Sequence, residues 1–527
     1  MTDTRESIPA IDIRPDHWVI VRDILHKHVP QYAVWAFGSR AKWTAKEYSD
    51  LDLAIITDSP LPLATSAALA EDFSESDLPW KVDIVDWAET SDTFRQIIER
   101  GRVVVQEAEK NMVAKREWRE VSLGEIYEFS SGLSKPRSEF GSGYPFLSFK
   151  DVFYNSAVPS DLTELVNSTE QERNRGSIKR GDVFLTRTSE TLDELGMSSV
   201  ALDDIPNATF NGFSKRLRPK QTDVISPEYA RYFFRSDRFR AAINSMSSMS
   251  TRASLNNEML ERLTISFPSF KEQESIGKIL GTLDNKIELN RRMNETLEAI
   301  ARSLFKSWLV DFDGVSVEDM QESELGLIPK GWKVASLDSV AQYLNGLALQ
   351  KFPPESEKEF LPVIKIAQLR AGNTQNADKA SSRLKSEYVV DNGDVLFSWS
   401  GSLEVEVWTG GPGALNQHLF KVTSSEVPKW FYYFATLQHL PEFRAIAAGK
   451  ATTMGHIQRK HLTDARVTVP PPEVMEEFDS IIAPLFEQVI NNALQSKALA
   501  KLRDTLLPKL ISGELHIKDA ERLAETA

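Results

Sequence analysis

A Gly-Ser pair and three aspartates near the start of the chain have types and spacing that suit metal-dependent phosphate chemistry. Gly38 and Ser39 are followed by Asp50 and Asp52, and Asp83 comes later. Side chains along a strand alternate between its two faces, so Asp50 and Asp52 project to the same side. Two close carboxylates repel each other unless a cation lies between them. Hard oxygen ligands suit Mg²⁺, which completes its shell with water and phosphate oxygens.

Three short apolar runs must position these residues. Residues 32–37 form a run that is rich in aromatic and β-prone residues and ends at Gly38, which predicts a buried strand followed by a tight turn. Residues 49–56 and 80–87 predict two further strands, which carry the aspartates. A carboxylate such as Asp83 in the middle of an apolar strand is unfavourable unless it is paired or bound to a metal.

The pattern G-S, then D-x-D, then an aspartate in a later strand resembles the minimal nucleotidyltransferase domains of the polymerase-β-like superfamily. The resemblance implies that Gly38 and Ser39 bind nucleotide phosphates. It also implies that Asp50, Asp52 and Asp83 are catalytic metal ligands, with Mg²⁺ as the cofactor of nucleotidyl transfer.

Two positions leave this implied site open. Asp86 is an alternative to Asp83 as the third ligand, because the two lie on opposite faces of one strand and only one can face the site. Relatives commonly have a glycine where this chain has Trp43, and a bulky side chain there is expected to close the phosphate turn. Without the resemblance, the D-x-D pair is also compatible with a strand that carries two solvent-facing acids.

The whole chain has 527 residues, no cysteine and a formal net charge of -14. This length predicts three or four domains. The missing cysteines exclude disulfides and thiolate metal sites. The first residues do not form a signal peptide and no run of eighteen apolar residues occurs, which predicts a soluble cytoplasmic protein without a membrane partner. The acidic balance argues against a protein that coats nucleic acid non-specifically.

An internal repeat organises the rest of the chain. Matching residues recur in the same order with a spacing that shrinks along the chain, which indicates shorter loops in the second copy. The pairs are Trp118 and Trp332, Gly132-Leu133 and Gly346-Leu347, Gly181-Asp182-Val183 and Gly393-Asp394-Val395, and Pro268 and Pro470. The repeat predicts two copies of a mixed α/β module, each followed by a long helix.

Both predicted helices show the four-and-three spacing of a coiled-coil seam. The first seam runs from Ile276 to Trp308 and the second from Phe478 to Leu510. Both become polar at the same place, Asn290 in one and Asn492 in the other. A buried polar pair of this kind penalises wrong registers, so these residues are predicted to fix the helix alignment. The alternative is a helical hairpin with exposed asparagines.

Two duplicated modules held apart by an antiparallel helical spacer resemble the specificity (S) subunit of type I restriction–modification systems, and residues 267–312 and 484–515 carry the likeness most clearly. The resemblance covers about residues 110–515. It implies that each module is a target recognition domain that reads one half of a split site in double-stranded DNA. The helices would set the gap between the halves and dock two methyltransferase (M) subunits, and restriction/motor (R) subunits would join the complex.

No methyltransferase motif and no phosphate-binding loop occurs in this body, so it is predicted to need no cofactor of its own. The fold class is therefore multidomain α/β, with a small nucleotidyltransferase domain before two mixed α/β modules and two long antiparallel helices. The expected boundaries are 1–110 for the nucleotidyltransferase-like domain, 111–270 and 316–470 for the recognition domains, and 271–315 and 471–527 for the helices.

Basic and hydroxyl residues in the modules are candidates for DNA contact, because such side chains hold phosphates and can read base edges. In the first module they are Arg187, Lys215, Arg216, Arg218, Lys220, Thr251 and Arg252. In the second they are Lys450, Thr452, Thr453, His456, Arg459 and Lys460. Asn211 and Asn416 are paired in the repeat and are either turn residues or base readers.

The sequence predicts a fusion of a nucleotidyltransferase-like domain with a DNA specificity subunit. A second hypothesis makes the front domain the functional centre, as a Mg²⁺-dependent, toxin–antitoxin-like enzyme that nucleotidylates a protein or RNA while the body only localises it on DNA. A third is a front domain that only senses nucleotides.

Overall fold

The computed structural model describes residues 9–30, 32–46, 48–57, 60–61, 63–107, 118–189, 194–246, 253–449 and 455–525. The chain forms two compact units. One comprises Met1–Ile126 and Asn257–Phe270, and the other Tyr127–Asn256 and Lys271–Ala527. The first unit contains the three aspartates, and the second contains both long helices.

The first unit contains a four-stranded mixed sheet in the order β3-β2-β1-β4. Strand β1 is antiparallel to β2 and β4, while β2 and β3 run parallel. The elements of this part are α1 (Pro15–His28), β1 (Ala33–Phe37), α2 (Gly38–Ala41), β2 (Leu51–Ile56), α3 (Leu63–Ser74), β3 (Val82–Asp86), α4 (Asp92–Arg100) and β4 (Val103–Gln106). Trp18, Val21 and Leu25 of α1 pack with the sheet residues Val34 and Leu53 in one apolar core.

The same unit also contains a small antiparallel strand pair with two short helices. These elements are β5 (Arg119–Ser122), α5 (Leu123–Ile126), α10 (Asn257–Arg262) and β15 (Thr264–Phe267). The backbone N–H of Leu123 donates to Leu263 O at 2.9 Å, which joins the two chain segments.

In the second unit, the first module is built on a four-stranded antiparallel sheet in the order β11-β9-β13-β6. A three-stranded sheet, β12-β7-β8, accompanies it. Its elements are β6 (Tyr127–Ser131), β7 (Phe140–Leu147), α6 (Phe149–Tyr154), β8 (Leu165–Val166), α7 (Glu170–Arg175), β9 (Val183–Thr186), β10 (Thr188–Ser189), β11 (Ser198–Val200), β12 (Thr209–Phe210), β13 (Ser214–Pro219), α8 (Pro227–Phe233), α9 (Asp237–Met246) and β14 (Ala253–Ser254).

The second module repeats this architecture with the sheets β24-β23-β26-β19 and β21-β20-β25-β22. Its elements are β16 (Met320–Ser323), β17 (Gly326–Pro329), β18 (Lys333–Ser336), α12 (Leu337–Val340), β19 (Gln342–Asn345), β20 (Leu361–Ile364), α13 (Ile366–Ala371), β21 (Lys379–Ala380), β22 (Val389–Val390), β23 (Val395–Ser398), β24 (Val405–Val407), β25 (Gly413–Leu415), β26 (Leu419–Thr423), α14 (Lys429–Ala448), α15 (Arg459–Asp464) and β27 (Arg466–Val469). The strand order β24-β23-β26-β19 matches β11-β9-β13-β6, which confirms the predicted duplication of a mixed α/β module, while the second sheet has four strands here and three in the first module.

The repeated Gly-Asp-Val motif has a structural role in both modules. Gly181 has a φ of +89°, a backbone conformation that favours glycine. The Asp182 carboxylate accepts the backbone N–H of Lys179 at 2.8 Å and forms an ion pair with Arg218 at 2.6 Å. The corresponding residues of the second copy are Gly393, also at +89°, with Asp394, Asp391 and Lys421. The motif therefore closes a turn before β9 or β23 and links that turn to the adjacent strand of the sheet, β13 or β26.

The long helices are α11 (Phe270–Lys306, 37 residues) and α16 (Pro472–Ser512, 41 residues). A short terminal helix, α17 (Ile517–Glu525), follows α16. Asp284 bonds Arg503 at 2.6 Å, whereas Trp308, in a π-helical turn after α11, stacks on Phe478 with ring centroids 4.6 Å apart. Early residues of one helix thus contact late residues of the other, which confirms the predicted antiparallel pairing.

Halfway along this pair the apolar seam is replaced by a buried amide network. Asn290 and Asn492 are 5% and 4% exposed. Asn290 Nδ2 donates to Gln495 Oε1 at 3.0 Å, and Asn492 Nδ2 donates to Asn294 Oδ1 at 2.9 Å. Gln488 Nε2 donates to Asn492 Oδ1 at 2.7 Å. Both asparagines therefore face the partner helix, as a role in helix register requires.

Among the helices in the described ranges, none combines the length and apolar character needed to cross a membrane.

We expect Asn492→Leu to lower the free energy of unfolding by about 1–3 kcal/mol, because Asn294 Oδ1 and Gln488 lose their buried partner. Adding Asn290→Leu should recover part of this loss, since two leucines can pack against each other in the seam. Urea unfolding of the single and double variants measures the coupling. Additive effects of the two substitutions would contradict a shared network.

Candidate functional site

The turn after β1 brings the backbone of Gly38 against the Asp52 carboxylate. Gly38 has a φ of +75°, and a Cβ at this position would lie 2.0 Å from Asp52 Oδ2. Asp52 itself is opposite Phe37 in the β1–β2 ladder. Only glycine satisfies both the backbone angle and this close approach, so the turn and the carboxylate form one arrangement.

The three predicted metal ligands are brought to one end of the sheet. Asp52 and Asp83 are direct neighbours in the parallel β2–β3 register, and Asp50 immediately precedes β2. Burial, followed by the negative charges of Asp83 and Asp50, raises the pKa of Asp52. The site is therefore electrostatically unfavourable to its own carboxylates, which is the condition that a bound cation relieves.

Lys81, which was not among the predicted site residues, supplies positive charge beside these carboxylates. Its ammonium group pairs with the Asp83 carboxylate. This hydrogen bond and the charges of Asp83 and Asp50 raise the pKa of Lys81. Within the described ranges, no three His, Cys, Asp or Glu side chains are already arranged as a metal site. The oxygen donors fit a hard divalent cation, provided that Asp83 exchanges Lys81 for the metal.

Asp86, the alternative third ligand, has a different set of partners. Its carboxylate accepts the Thr57 hydroxyl and the backbone N–H groups of Leu61 at 2.6 Å and Ala88 at 3.0 Å. The bond from Ala88 caps the short helix that follows β3. Asp83, not Asp86, neighbours Asp52.

Arg40 holds the loop between the Gly-Ser turn and the aspartates. Its guanidinium donates to Ser49 O and Asp12 O, both at 2.8 Å, and lies 4.2 Å from the centre of the Trp80 ring. Burial lowers the pKa of Arg40, while Asp12 and Asp50 oppose that shift. The backbone O of Ser39 accepts the N–H of Thr44 at 3.0 Å, which also tightens this loop.

Trp43 has the backbone conformation of a glycine position. Its φ is +55°, in the left-handed region where a bulky residue is strained. The side chain is 65% exposed, and its indole N–H donates to Ala10 O at 3.2 Å. The indole is thus held against the segment before α1.

The predicted DNA-contacting residues of the first module fall into two groups. Arg216 is only 7% exposed, and its guanidinium donates to the backbone O of Ser177 at 2.6 Å. Lys215 is also buried and bonds Ser131 Oγ at 3.0 Å. Burial, and then the nearby charge of Arg187, lowers the pKa of Lys215. Arg187 is half-buried at the end of β9 and is better placed for an external ligand.

In the second module, Arg459 is exposed at the start of α15, where its guanidinium donates to Tyr343 O at 3.1 Å. Five of the predicted DNA contacts lie outside the described residues. They are Thr251, Arg252, Lys450, Thr452 and Thr453.

Three side chains at the equivalent ends of the two modules were not among the residues predicted from the sequence: Phe213, Trp399 and His418. The repeat contained the signal, because extending the Gly-Asp-Val alignment pairs Arg187 with Trp399. Asn211 and Asn416, which it did single out, lie in the same two turns.

Asp52→Asn should stabilise the front domain at neutral pH. The raised pKa means that the folded state binds the proton more tightly, so wild-type stability falls as pH rises from about 4 through that pKa. The variant lacks this decline, and its advantage should be absent at low pH and constant once Asp52 is ionised. Calorimetric melting between pH 3.5 and 7.5 tests this, with Asp23→Asn on α1 as the control for net charge. A variant that is less stable than wild type at pH 7.5 would oppose it.

Comparison with known proteins identifies both parts of the chain. Residues 115–299 and 329–503 match the type I restriction modification DNA specificity domain, and residues 21–110 match the polymerase beta nucleotidyltransferase domain. The "Type I restriction enzyme MjaIX specificity subunit" of Methanocaldococcus jannaschii is 27% identical over 412 residues, which covers 75% of this chain and 92% of that protein.

Two further relatives cover different parts. The "Type I restriction enzyme HindI specificity subunit" of Haemophilus influenzae is 23% identical over 76% of this chain and 100% of its own length. The "Probable protein adenylyltransferase MntA" of the same organism is 55% identical over 106 residues, 20% of this chain and 93% of the relative.

The crystal structure of the type I restriction-modification S subunit from M. genitalium has the same fold, with a TM-score of 0.50 and 11% identity over 76% of this chain and 97% of that one. The two specificity-domain matches together cover more than half of the chain. The protein therefore belongs to the family of type I restriction–modification DNA specificity subunits, and it carries a nucleotidyltransferase domain of the polymerase-β type at its front.

Proposed function

We propose that the body binds a split site in double-stranded DNA, with one half-site for each module and the gap set by α11 and α16. The observation that carries this proposal is the duplication of one sheet architecture around an antiparallel helix pair. At about 1.5 Å per residue, the 37 and 41 residues of the helices span about 56 and 62 Å. That exceeds one turn of DNA, about 34–36 Å, so two half-sites on one face of the duplex are within reach.

The helices would also dock two methyltransferase subunits, to which restriction/motor subunits add. A row of apolar side chains on α11 supports this role. Leu289, Met293 and Ile300 are exposed although they lie on a helix whose other face is buried in the seam. Exposed apolar rows are typical of protein–protein contacts. Such a complex would act on DNA in the cytoplasm.

Phosphate and base contacts would come from basic residues near the module loops. Half-buried Arg187 and exposed Arg459 are two of the described candidates, and Thr251, Arg252, Lys450, Thr452 and Thr453 are proposed on sequence alone. Lys215 and Arg216 would act mainly by supporting the surrounding backbone, because their charged groups are buried against protein oxygens. A buried guanidinium cannot reach a DNA phosphate without leaving these partners.

For the front domain we propose Mg²⁺-dependent transfer of a nucleotidyl group. Gly38 and Ser39 would hold the nucleotide phosphates, and Asp50, Asp52 and Asp83 would hold the metal. The bound metal would stabilise charge on the reacting phosphate oxygens. The neighbouring positions of Asp52 and Asp83 and the close approach of Gly38 to Asp52 support this assignment.

A protein is the acceptor we favour for this transfer. The 55% identity to a probable protein adenylyltransferase supports adenylyl transfer from ATP to a protein side chain. The acceptor oxygen would form the new bond to the α-phosphorus, and pyrophosphate would leave. This activity would accompany the DNA specificity function, which we favour over a body that serves only for localisation because the two specificity-domain matches cover more than half of the chain.

Replacing residues 111–270 with the matching module of another family member should change one half of the recognised DNA sequence and preserve the other. The reason is that each module carries its own pair of sheets. Sequencing of duplexes selected by the full chain from a random library provides the measurement. Replacement of 316–470 is the matched control and should change the opposite half. A change in both halves from either replacement would refute the one-module, one-half-site assignment.

The full chain should bind a nucleoside triphosphate in the presence of Mg²⁺, and Asp52→Asn should weaken that binding at least tenfold, because the metal loses a charged ligand. Titration calorimetry with each of the four triphosphates measures this directly. Asp86→Asn is the control: it removes the carboxylate that caps the helix after β3 and should preserve binding if the variant remains folded. No binding of any triphosphate by the wild type would rule out the proposed catalytic site.

A further inference from the structure

Asn211 and Asn416 form the same turn in the two modules. The side-chain oxygen of Asn211 accepts the backbone N–H of Phe213 at 3.0 Å, and that of Asn416 accepts the N–H of His418 at 3.2 Å. Both asparagines are buried. This side-chain bond to the residue two positions ahead stabilises a tight turn. The asparagines thus shape the turn and leave contact with a ligand to the residues that follow them.

A glycine supports each turn from the neighbouring segment. A Cβ at Gly132 would lie 2.3 Å from the carbonyl oxygen of Asn211, and a Cβ at Gly346 would lie 2.3 Å from that of Asn416. No larger residue fits either position unless the turn moves. The close approach of each turn therefore explains why the glycine of the repeated Gly-Leu pair recurs.

The residue after the central strand is joined to the tip of each turn. The N–H of Arg187 donates to Phe213 O at 2.8 Å, and the N–H of Trp399 donates to His418 O at 3.3 Å. The carbonyl of each also accepts one further N–H, from Leu255 in the first module at 2.9 Å and from Ile457 in the second at 3.0 Å. Two side chains are consequently held side by side on an identical backbone frame in each module.

The frame is identical, but the side chains that it holds are different. Phe213 is 65% exposed in the first module. In the second, His418 bonds Ser400 Oγ through Nδ1 at 2.9 Å, and the Trp399 indole donates to Asn345 Oδ1 at 2.9 Å. The Phe213 ring is therefore accessible to a ligand, whereas Trp399 is partly buried and packs against the apolar core of its module.

The surroundings of both tips suit a polyanion with aromatic bases. Arg187 supplies a half-buried cation at the first tip, and the ammonium group of Lys215 beside it is held by Ser131 Oγ at 3.0 Å. In the second module a cavity of about 760 Å³ opens beside His418. Its lining includes Gln350, together with Lys365 and Lys379, which pair with Asp378 and Glu357. Arginine reads guanine edges, glutamine reads adenine, and aromatic side chains contact thymine methyl groups or base steps.

We propose that the pairs Arg187–Phe213 and Trp399–His418 are specificity-determining residues, each of which contacts bases in the half-site of its own module. The inference rests on the proposed DNA-binding function and adds to it the residues that distinguish the two half-sites. A shared frame with divergent tips lets two copies of one module read two different sequences without a change of fold.

The test uses the full chain and a library of random double-stranded DNA. The wild type is expected to enrich two separated motifs. Phe213→Ala and Arg187→Gln should each alter base frequencies in one half only, and His418→Ala should alter the other half only. On the wild-type consensus duplex, each variant should bind about 5- to 150-fold more weakly, the usual effect of losing recognition of one base pair.

Matched controls separate contact from folding. Tyr154→Ala removes an equally exposed aromatic side chain from α6 of the first module and should leave both motifs unchanged. Unchanged melting temperatures for the tip variants would show that the frame is intact.

The possible failures are distinguishable. If the wild type enriches no split motif, the proposed function itself fails. If it does, but the tip variants keep the wild-type base frequencies in both halves, or alter both halves together, the assignment of these pairs is overturned while split-site binding stands.

Discussion

The geometry of the specificity body depends on the buried amide network between α11 and α16. Apolar side chains along a helical seam pack almost equally well after a shift of one repeat, so they hold the helices together without defining their alignment. Hydrogen bonds tolerate much smaller displacements. Asn290, Asn294 and Asn492 bond across the interface, and any slip would leave buried amides without partners. We therefore propose that a few polar groups set the separation of the two modules.

Duplication gives the two modules a common skeleton, and the residues that recur are those that the skeleton requires. Gly181 and Gly393 adopt the same positive φ, and the aspartate after each pairs with a basic residue on a neighbouring strand. Gly132 and Gly346 lie under the asparagine turns. Residues that recur in both modules thus maintain the common fold, and residues that differ at equivalent positions are candidates for a role specific to one module. Phe213 and His418 are divergent positions of this kind.

The sequence predicted more of the fold than of the sites, for a physical reason. Seam periodicity and the internal repeat depend on local spacing, and both the antiparallel helices and the paired sheets follow from them. Which strand is internal depends on tertiary arrangement. Strand β13 lies between β9 and β6, so Lys215 and Arg216 are buried against backbone and hydroxyl oxygens even though basic residues usually indicate a surface. Arg187, one residue beyond a strand end, is less enclosed.

In the front domain, too, local spacing was predictable from the sequence, whereas the tertiary partners of the charged groups were not. The strand pattern predicted that Asp50 and Asp52 would share a side, but it contained no information about Lys81, whose ammonium group now pairs with Asp83. A lysine is held by its own chain and neutralises one carboxylate, whereas a divalent ion can be shared among several. Burial, followed by the charges of Asp83 and Asp50, still raises the pKa of Asp52. In the proposed reaction, the metal would supply the missing positive charge and the nucleotide would supply oxygen ligands, so the binding of each would depend on the other.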